Sequence, residues 1–571
     1  MKKASNIPVV SWEKIMSPGL VVPHADLQAA AGSLKLDCDV FRYKAAGNCL
    51  GIAVMGGTGT GESTLFNALV GRPVSATGVE RPTTTAPVGY GHRDHKVEEN
   101  FPLPDLRFER LGNYTAELRK PAREKERESF LYFEHDDSRL SHLVFLDTPD
   151  MDSLEPMNRY YAEAMYLLAH GIVFVASQEK YADDVLIRFM ERASGEGKPL
   201  FVVFNKAEEG QRWEDPVEIF GEIGMVLPPE RFFLVPFMNT LERKGEFLRK
   251  RLEPFVVNLL DFFAPQQVEN LIEEDRRKSR KRIAAGAERL AANIDREGEA
   301  ARQWLDRLDS LFASSADLLM EEMRARHEQK NLDAIKREVK KIFGAYDLLA
   351  KPRAYVTSII RAPLEMLGLI RPETPEEKKE ELLRARDRVD NTPVLSAMER
   401  ANRMVLETLS PSDRNSPFFR ALRDDGVAFS MDDTENRLLK LQADIAEWLE
   451  ATIMDLERDL PAGKKIGIYS TSVVWGAAIL SFETVLGGGI TLLEMALNTV
   501  LAPFVTRGSA DLFAHRELKA IIKEMNDRYH LGIGEIFKEQ RDRYARILEE
   551  RLTPEGVRSE LIDLKVAMEK A

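Results

Sequence analysis

Only two cysteines, Cys38 and Cys49, occur in 571 residues. That is too few for a disulfide framework or a zinc site, so the chain reads as cytoplasmic with reduced thiols. Histidine is also scarce, at nine residues with no ligand spacing; His92 and His95 in GHRDH have no further ligand nearby and read as a solvated loop. A surplus of positive charge is missing too. Lys and Arg number 80 against 93 Asp and Glu, a formal net charge of −13. Nucleic-acid binders usually carry a basic domain, so no nucleic-acid partner is expected. The opening MKKASNIPVVSWEK holds a single short apolar run, Ile7 to Val10, well below the length of an export signal's core. Short repeats and low-complexity linkers are absent. What remains is an ordinary globular balance, 44% hydrophobic and 30% charged, over a length that suits two to four domains.

The order of patterns suggests three parts. Residues 1–47 carry apolar positions from Leu27 to Leu36 suited to a helix packed on the rest of the chain. From 48 to 265, strand-like runs such as HLVFLD, GIVFVA, PLFVVFN and RFFLVP alternate with helical patterns. Such alternation predicts an α/β domain, a mostly parallel sheet with helices on both faces. From 266 to 571, Ala, Leu, Glu, Lys and Arg at helical spacing predict a long all-α domain. Prolines 352, 363, 372 and 375 bracket an irregular connection containing the apolar run Leu364 to Ile370. Within the helical part, Ile466 to Val505 lacks Lys and Arg altogether, and Gly487 to Gly489 divide it, which suggests a hydrophobic helical hairpin. Its first arm, Ile466 to Phe482, spans about 25 Å as a helix, short of a ~30 Å hydrocarbon core. Glu483 and Glu494 flank the glycines. Shallow insertion is the expectation, with burial inside the helical domain as the alternative.

The most informative stretch is GIAVMGGTGTGESTLFNAL, Gly51 to Leu69. An apolar strand enters a glycine-dense turn that opens a helix. The spacing of Gly56, Gly61 and Ser63 is that of the P-loop, whose backbone N–H groups, here those of Gly56, Gly57, Thr58, Gly59, Thr60, Gly61, Glu62, Ser63 and Thr64, point inward at a nucleotide's phosphates. Ser63 supplies the hydroxyl suited to Mg²⁺. One position departs from the motif: Glu62 stands where a lysine would reach the β- and γ-phosphates. A carboxylate about 4 Å from a phosphate charge repels it by roughly 4 kcal/mol at an effective dielectric near 20. Binding should suffer accordingly.

Three further elements follow in order. ERPTTTAPV offers Thr83 to Thr85, with Thr84 lying 21 positions past Ser63. LVFLDTPDMDS ends a strand at Asp147, a carboxylate placed to hold the metal through water. FVVFNKAEEG ends another with Asn205, Lys206 and Glu208, similar to the guanine-reading motif but with Glu in place of Asp.

Together these elements resemble the P-loop GTPases of the translation-factor-related class, and within it the bacterial dynamin-like and Era-related group. The resemblance is specific over roughly residues 50–210 and architectural beyond. It implies a G domain at 48–265 on a helical stalk, with GTP/GDP and Mg²⁺ as cofactors. Ser63, Thr84 and Asp147 would lie at the metal, Thr58 and Thr84 at the catalytic position, and Asn205, Lys206 and Glu208 at the base. It further implies slow GTP hydrolysis, self-association through paired G domains, and a peripheral place at the inner face of the cell membrane, with lipid contact through 466–505. Departures from the pattern are Glu62, Asp150 for a glycine, Met151 for a water-orienting glutamine, Gly59 for the asparagine of potassium-dependent relatives, and no match to a fifth motif near Val235 to Phe237. Two alternatives stand beside this reading: a non-cycling pseudo-GTPase scaffold, and an Era-like ribosome-assembly GTPase, which the acidic helical half disfavours.

Overall fold

The structure is a computed structural model describing residues 7–47, 49–57, 59–75, 87–112, 129–149, 156–177, 184–207, 221, 228–236, 244–328, 335–337, 339, 389–459, 471–486 and 509–570. By compactness the chain divides into two units: Met1–Ile15, Asp26–Ile294 and Thr553–Ala571, and Met16–Ala25 with Asp295–Leu552. The first therefore takes in chain from both ends besides residues 48–265.

The first unit is built on eight strands: β1 (Leu50–Gly56), β2 (Val88–His92), β3 (Arg107–Leu111), β4 (Ser129–His135), β5 (Leu143–Asp147), β6 (Gly171–Ser177), β7 (Leu200–Ala207) and β8 (Phe232–Pro236). They lie in the order β3-β4-β2-β5-β1-β6-β7-β8, parallel throughout except for β2 against β5. Each apolar run becomes a strand because both of its faces are covered. In β1, Leu50, Ile52 and Val54 join one core with Phe66, Phe201 and Phe255, while Ala53 and Met55 join another with Met165, Phe174 and Phe204. That alternation is the period of two expected of a strand between two layers.

Helix α1 (His24–Ala46) contributes Leu36 and Val40 to the second of these cores, as α3 (Pro156–Leu168) contributes Ala162 and Met165. On the other face α2 (Glu62–Val70) packs against α5 (Lys244–Phe262) through Leu65, Phe66, Leu252 and Phe255. Helix α4 (Asp184–Gly195) precedes β7. The histidines expected on a solvated loop are tied in: His92 ends β2 and lies beside His135, with ring centroids 5.6 Å apart, and His95 Nε2 lies 2.7 Å from Ser141 O.

The second unit is helical. It draws on α6 (Val268–Glu328), α7 (Thr392–Thr408), α8 (Pro417–Leu422), α9 (Met431–Asp459), α10 (Thr471–Leu486) and α11 (Ser509–Glu549); α12 (Glu555–Lys570) belongs to the first. Its starts follow local chemistry. At α9, Asp433 N donates to Ser430 Oγ at 3.0 Å while Ser430 N donates to Asp433 Oδ2 at 3.1 Å, a reciprocal capping box. At α8, Ser416 Oγ accepts from Phe419 N and Pro417 takes the first turn. Glu297, 2% exposed, accepts from the backbone N–H groups of Leu20, Val21 and Val22 and ties that segment down.

Of the apolar stretch 466–505, the described residues 471–486 form α10. Its Ala477, Phe482, Val485 and Leu486 are buried in the helical core with Ile522, Met525 and Tyr529. Among the described residues no helix is long and apolar enough to cross a membrane. The glycine turn, the second arm and Leu364 to Ile370 lie outside the described residues.

Candidate functional site

Register brings the motifs together. Val54 of β1 pairs with Asp147 of β5, Gly56 with Val175 of β6, and Ser177 with Asn205 of β7. All four strands are parallel, so their carboxyl ends open on one side of the sheet, where ligands of open α/β folds bind. The loop after β1 is tight. Thr60 N donates to Gly57 O at 3.0 Å, and α2 begins with Leu65 N donating to Gly61 O at 3.0 Å. Gly56 allows the loop to close on the strand: a Cβ there would meet Thr60 Oγ1 at 2.6 Å, Val175 O at 2.7 Å and Glu62 Cγ at 2.8 Å. Gly61, at φ +99°, caps α2 in the left-handed region, and a Cβ would meet Asn205 Nδ2 at 2.5 Å.

Glu62 sits in the first turn of α2, where the helix's positive end favours an anion. Its side chain is 6% exposed and accepts a short hydrogen bond from Thr60 Oγ1; Thr60 is fully buried. The carboxylate is thus folded back within the loop.

Asp147 is also fully buried, and its Oδ2 accepts from Ser63 Oγ at 2.9 Å and Ser75 Oγ at 2.5 Å. A serine hydroxyl against a carboxylate at a strand end is a set of hard oxygen donors of the kind Mg²⁺ takes. The metal side of the site therefore fits the implied ion, whereas the carboxylate of Glu62 does not fit an adjoining phosphate. From β7, Asn205 Nδ2 donates to Thr60 O and Lys206 Nζ to Gly59 O, both at 2.7 Å. Lys206 holds φ +58°, a strained value for a lysine that turns its side chain back to the loop.

The structure therefore brings together Gly56, Gly57, Gly59, Thr60, Gly61, Glu62, Ser63, Thr64, Asp147, Asn205 and Lys206. Thr58, Thr84, Glu208, Asp150 and Met151 lie outside the described residues. Three residues escaped the sequence reading. Ser75 shares the Asp147 oxygen with Ser63, and Asn67 positions it by accepting from Val74 N and Ser75 N at 2.8 Å. Thr148 Oγ1 donates to Val54 O at 3.2 Å, joining β5 to β1. Thr148 was visible in the DTP stretch, whereas no spacing rule links Ser75 to Asp147.

Residues 52–207 match the model of the dynamin family. Two solved chains resemble the fold at a TM-score of 0.40, with 12% and 14% identity, each match covering 96% of this chain and 92% of the other. Both come from work on an oligomerised bacterial dynamin pair, described as providing a mechanism for the long-range sensing and tethering of membranes. No curated protein matches the chain.

Proposed function

With residues 52–207 a dynamin-family G domain, we propose that the chain is a dynamin-like guanine-nucleotide-binding protein whose cycle is held back by Glu62. One observation carries the reading: Asn205 and Lys206, the residues of the base-reading motif, reach the P-loop carbonyls of Thr60 and Gly59 at 2.7 Å. That contact would join the base-reading and phosphate-binding parts of a nucleotide site, and it supports the reading for that reason. Ser63 and Asp147, with Thr84, would hold Mg²⁺, whose positive charge offsets that of a triphosphate. Asn205, Lys206 and Glu208 would face the base. Glu62 opposes this set, so the residues support recognition better than turnover, and no hydrolytic step is derived for them.

The Glu62–Thr60 bond also favours a second reading, a scaffold that no longer cycles. Titration of GTP, GDP and ATP against the full chain and against Glu62→Lys separates the two. Guanine-nucleotide binding by the lysine variant together with nucleotide-dependent pairing in sedimentation supports the first, and no binding by either chain leaves the scaffold.

Membrane action belongs to the same proposal and rests on the apolar stretch 466–505, which carries no Lys or Arg. Since α10 is packed in the helical core, lipid contact would require either release of that helix or use of the second arm alone. Flotation with anionic liposomes, comparing the full chain with a variant lacking 466–505, tests it. Co-flotation of the full chain alone supports membrane contact, and both chains remaining at the bottom of the gradient defeats it.

A further inference from the structure

The first unit takes in the opening turns of α6, residues 268–294. They carry RRKSRKR, six cations in the seven residues 276–282. At 3.6 residues per turn such a run encircles the helix, and its two sides are used differently. Lys278 and Arg282 hold the helix to the rest of the unit. Lys278 Nζ donates to Gly197 O at 2.6 Å and meets Glu274 Oε1 at 2.6 Å, while Arg282 meets Asp37 at 2.9 Å and Glu196 at 3.3 Å. Both are fully engaged.

Arg276, Arg277, Arg280 and Lys281 occupy another arc of the helix, as two pairs four residues apart. Arg276 Nη2 donates to Ala45 O at 3.3 Å. The Glu273 carboxylate, on a side chain 62% exposed, stands 3.7 Å from Arg276 Nη1 and 4.0 Å from Arg280 Nη1, beyond hydrogen-bond reach of either. Arg277 and Lys281 are exposed and meet no acid at ion-pair distance among the described residues. The Nε–H groups of Arg276 and Arg280 are buried and have no acceptor among the described residues. A guanidinium can only donate, so each of these two is short of an oxygen. The acids along this arc are Glu273 and, one turn earlier, Glu269. Glu274 is paired with Lys278, Asp275 with Lys44 at 2.8 Å, and Glu288 further on with Lys565 at 2.7 Å. Four cations against two carboxylates leave an excess of two positive charges.

We propose that this arc of α6 binds a phosphate-type polyanion carrying at least two negative charges, held by the forks of Arg276 and Arg280 and flanked by Arg277 and Lys281. The anion is either a soluble pyrophosphate-like molecule or the phosphomonoester headgroup of a lipid. Residues four apart on a helix have Cβ atoms about 5–6 Å apart, a span that a group with several tetrahedral phosphate oxygens covers and a single planar carboxylate does not. Arginine's planar fork matches phosphate oxygens two at a time. A nucleic-acid backbone needs a longer basic surface, and past Lys281 the helix returns to mixed charge with Glu288, Arg289, Asp295 and Arg296.

The test is calorimetric titration of the full chain with inorganic pyrophosphate or acetate, at constant ionic strength and without Mg²⁺, beside sedimentation with phosphatidylcholine vesicles made with or without phosphatidic acid. The expected result is that pyrophosphate, the phosphatidic acid vesicles or both bind, that acetate and pure phosphatidylcholine do not, and that Arg276→Gln with Arg280→Gln weakens binding at least about tenfold. Arg277→Gln with Lys281→Gln, at exposed positions, should weaken it at least about threefold and leave the melting temperature unchanged. Binding of pyrophosphate alone upholds the site as one for a soluble anion, and binding of the phosphatidic acid vesicles upholds it as one for a headgroup. Binding of neither probe overturns the proposal, as does acetate bound as tightly as pyrophosphate. Undiminished binding in a folded Arg276→Gln, Arg280→Gln chain overturns it too, since an anion seated at the P-loop would be untouched by these changes. Should that chain fail to fold, the Arg277→Gln, Lys281→Gln pair decides alone. A single-stranded oligonucleotide bound through the same residues more tightly than either probe would also overturn it.

Discussion

Replacing Glu62 by lysine inverts the charge inside the P-loop and should move two quantities in opposite directions. In the ligand-free protein the Glu62 carboxylate accepts from Thr60 Oγ1 at the amino end of α2. Helix-end charge contributes about 0.3–1 kcal/mol and a hydrogen bond about 1 kcal/mol, so the variant should lose about 1–2 kcal/mol of stability without ligand. Toward a triphosphate the sign reverses. A unit charge about 4 Å from phosphate is worth roughly 4 kcal/mol at an effective dielectric near 20, and each ~1.4 kcal/mol is a factor of ten. Removing the repulsion alone should tighten GTP binding by about a thousandfold, before any attraction from the ammonium group is added. Calorimetric titration of GTP with Mg²⁺ and urea denaturation of both ligand-free chains measure the pair. Micromolar GTP binding by the native chain, equal to that of the variant, would refute the reasoning. So would a variant that is no less stable when empty, because the internal Glu62–Thr60 contact would then contribute nothing.

Glu62→Lys should prefer GTP to ATP, since guanine offers donors at N1 and N2 to a carboxylate at Glu208 where adenine offers a lone pair; equal competition by ATP in the titration would remove the base-reading role. Gly61→Ala places a methyl 2.5 Å from Asn205 Nδ2 at φ +99° and should cost about 1–3 kcal/mol in urea denaturation; no change would mean that the loop relaxes without loss. Lys198, buried beneath α3, has its pKa lowered from 10.5 to about 7, chiefly by desolvation and then by Lys44, against the pull of Asp275. Between about pH 7 and pH 10.5 the unfolded chain therefore binds more protons at this position than the folded one, and its contribution to stability rises with pH and is lost as pH falls through about 7. The melting-temperature gap between the native chain and Lys198→Met should change across that window, and a constant gap would show that the ammonium stays charged. Phe482→Ala, at a fully buried position of α10, should destabilise the helical unit by about 3–5 kcal/mol; an unaltered unfolding transition would return the segment to the surface.

Legibility followed the physical range of each signal. The strands of the sheet were readable because a strand covered on both faces is a continuous apolar run, and β1, β5, β6 and β7 are such runs. Edge strand β3, RFERL, half-exposed and mixed in character, left no such mark. The P-loop was readable because its backbone needs glycine at fixed spacing. The role of Glu62 was readable only as a wrong charge: that the carboxylate turns back to Thr60 depends on how closely Gly56 lets the loop approach β1. In the apolar stretch, composition was equally compatible with lipid and with protein, because both are dry; only the tertiary structure shows Phe482, Val485 and Leu486 packed in the helical core.

By itself the amino-acid sequence determined the class of each half, the order of the four motifs and the one residue that breaks the first of them. These are local properties, set by periodicity, turn chemistry and charge within a few residues. The tertiary structure alone decided which distant groups meet. Ser75 and Ser63 share one oxygen of Asp147, Asn205 and Lys206 hold the loop of Thr60 and Gly59, and Arg282 meets Asp37 from 245 residues away. Such meetings depend on strand order and register, which arise from how whole faces bury against one another and leave no spacing in the chain to read.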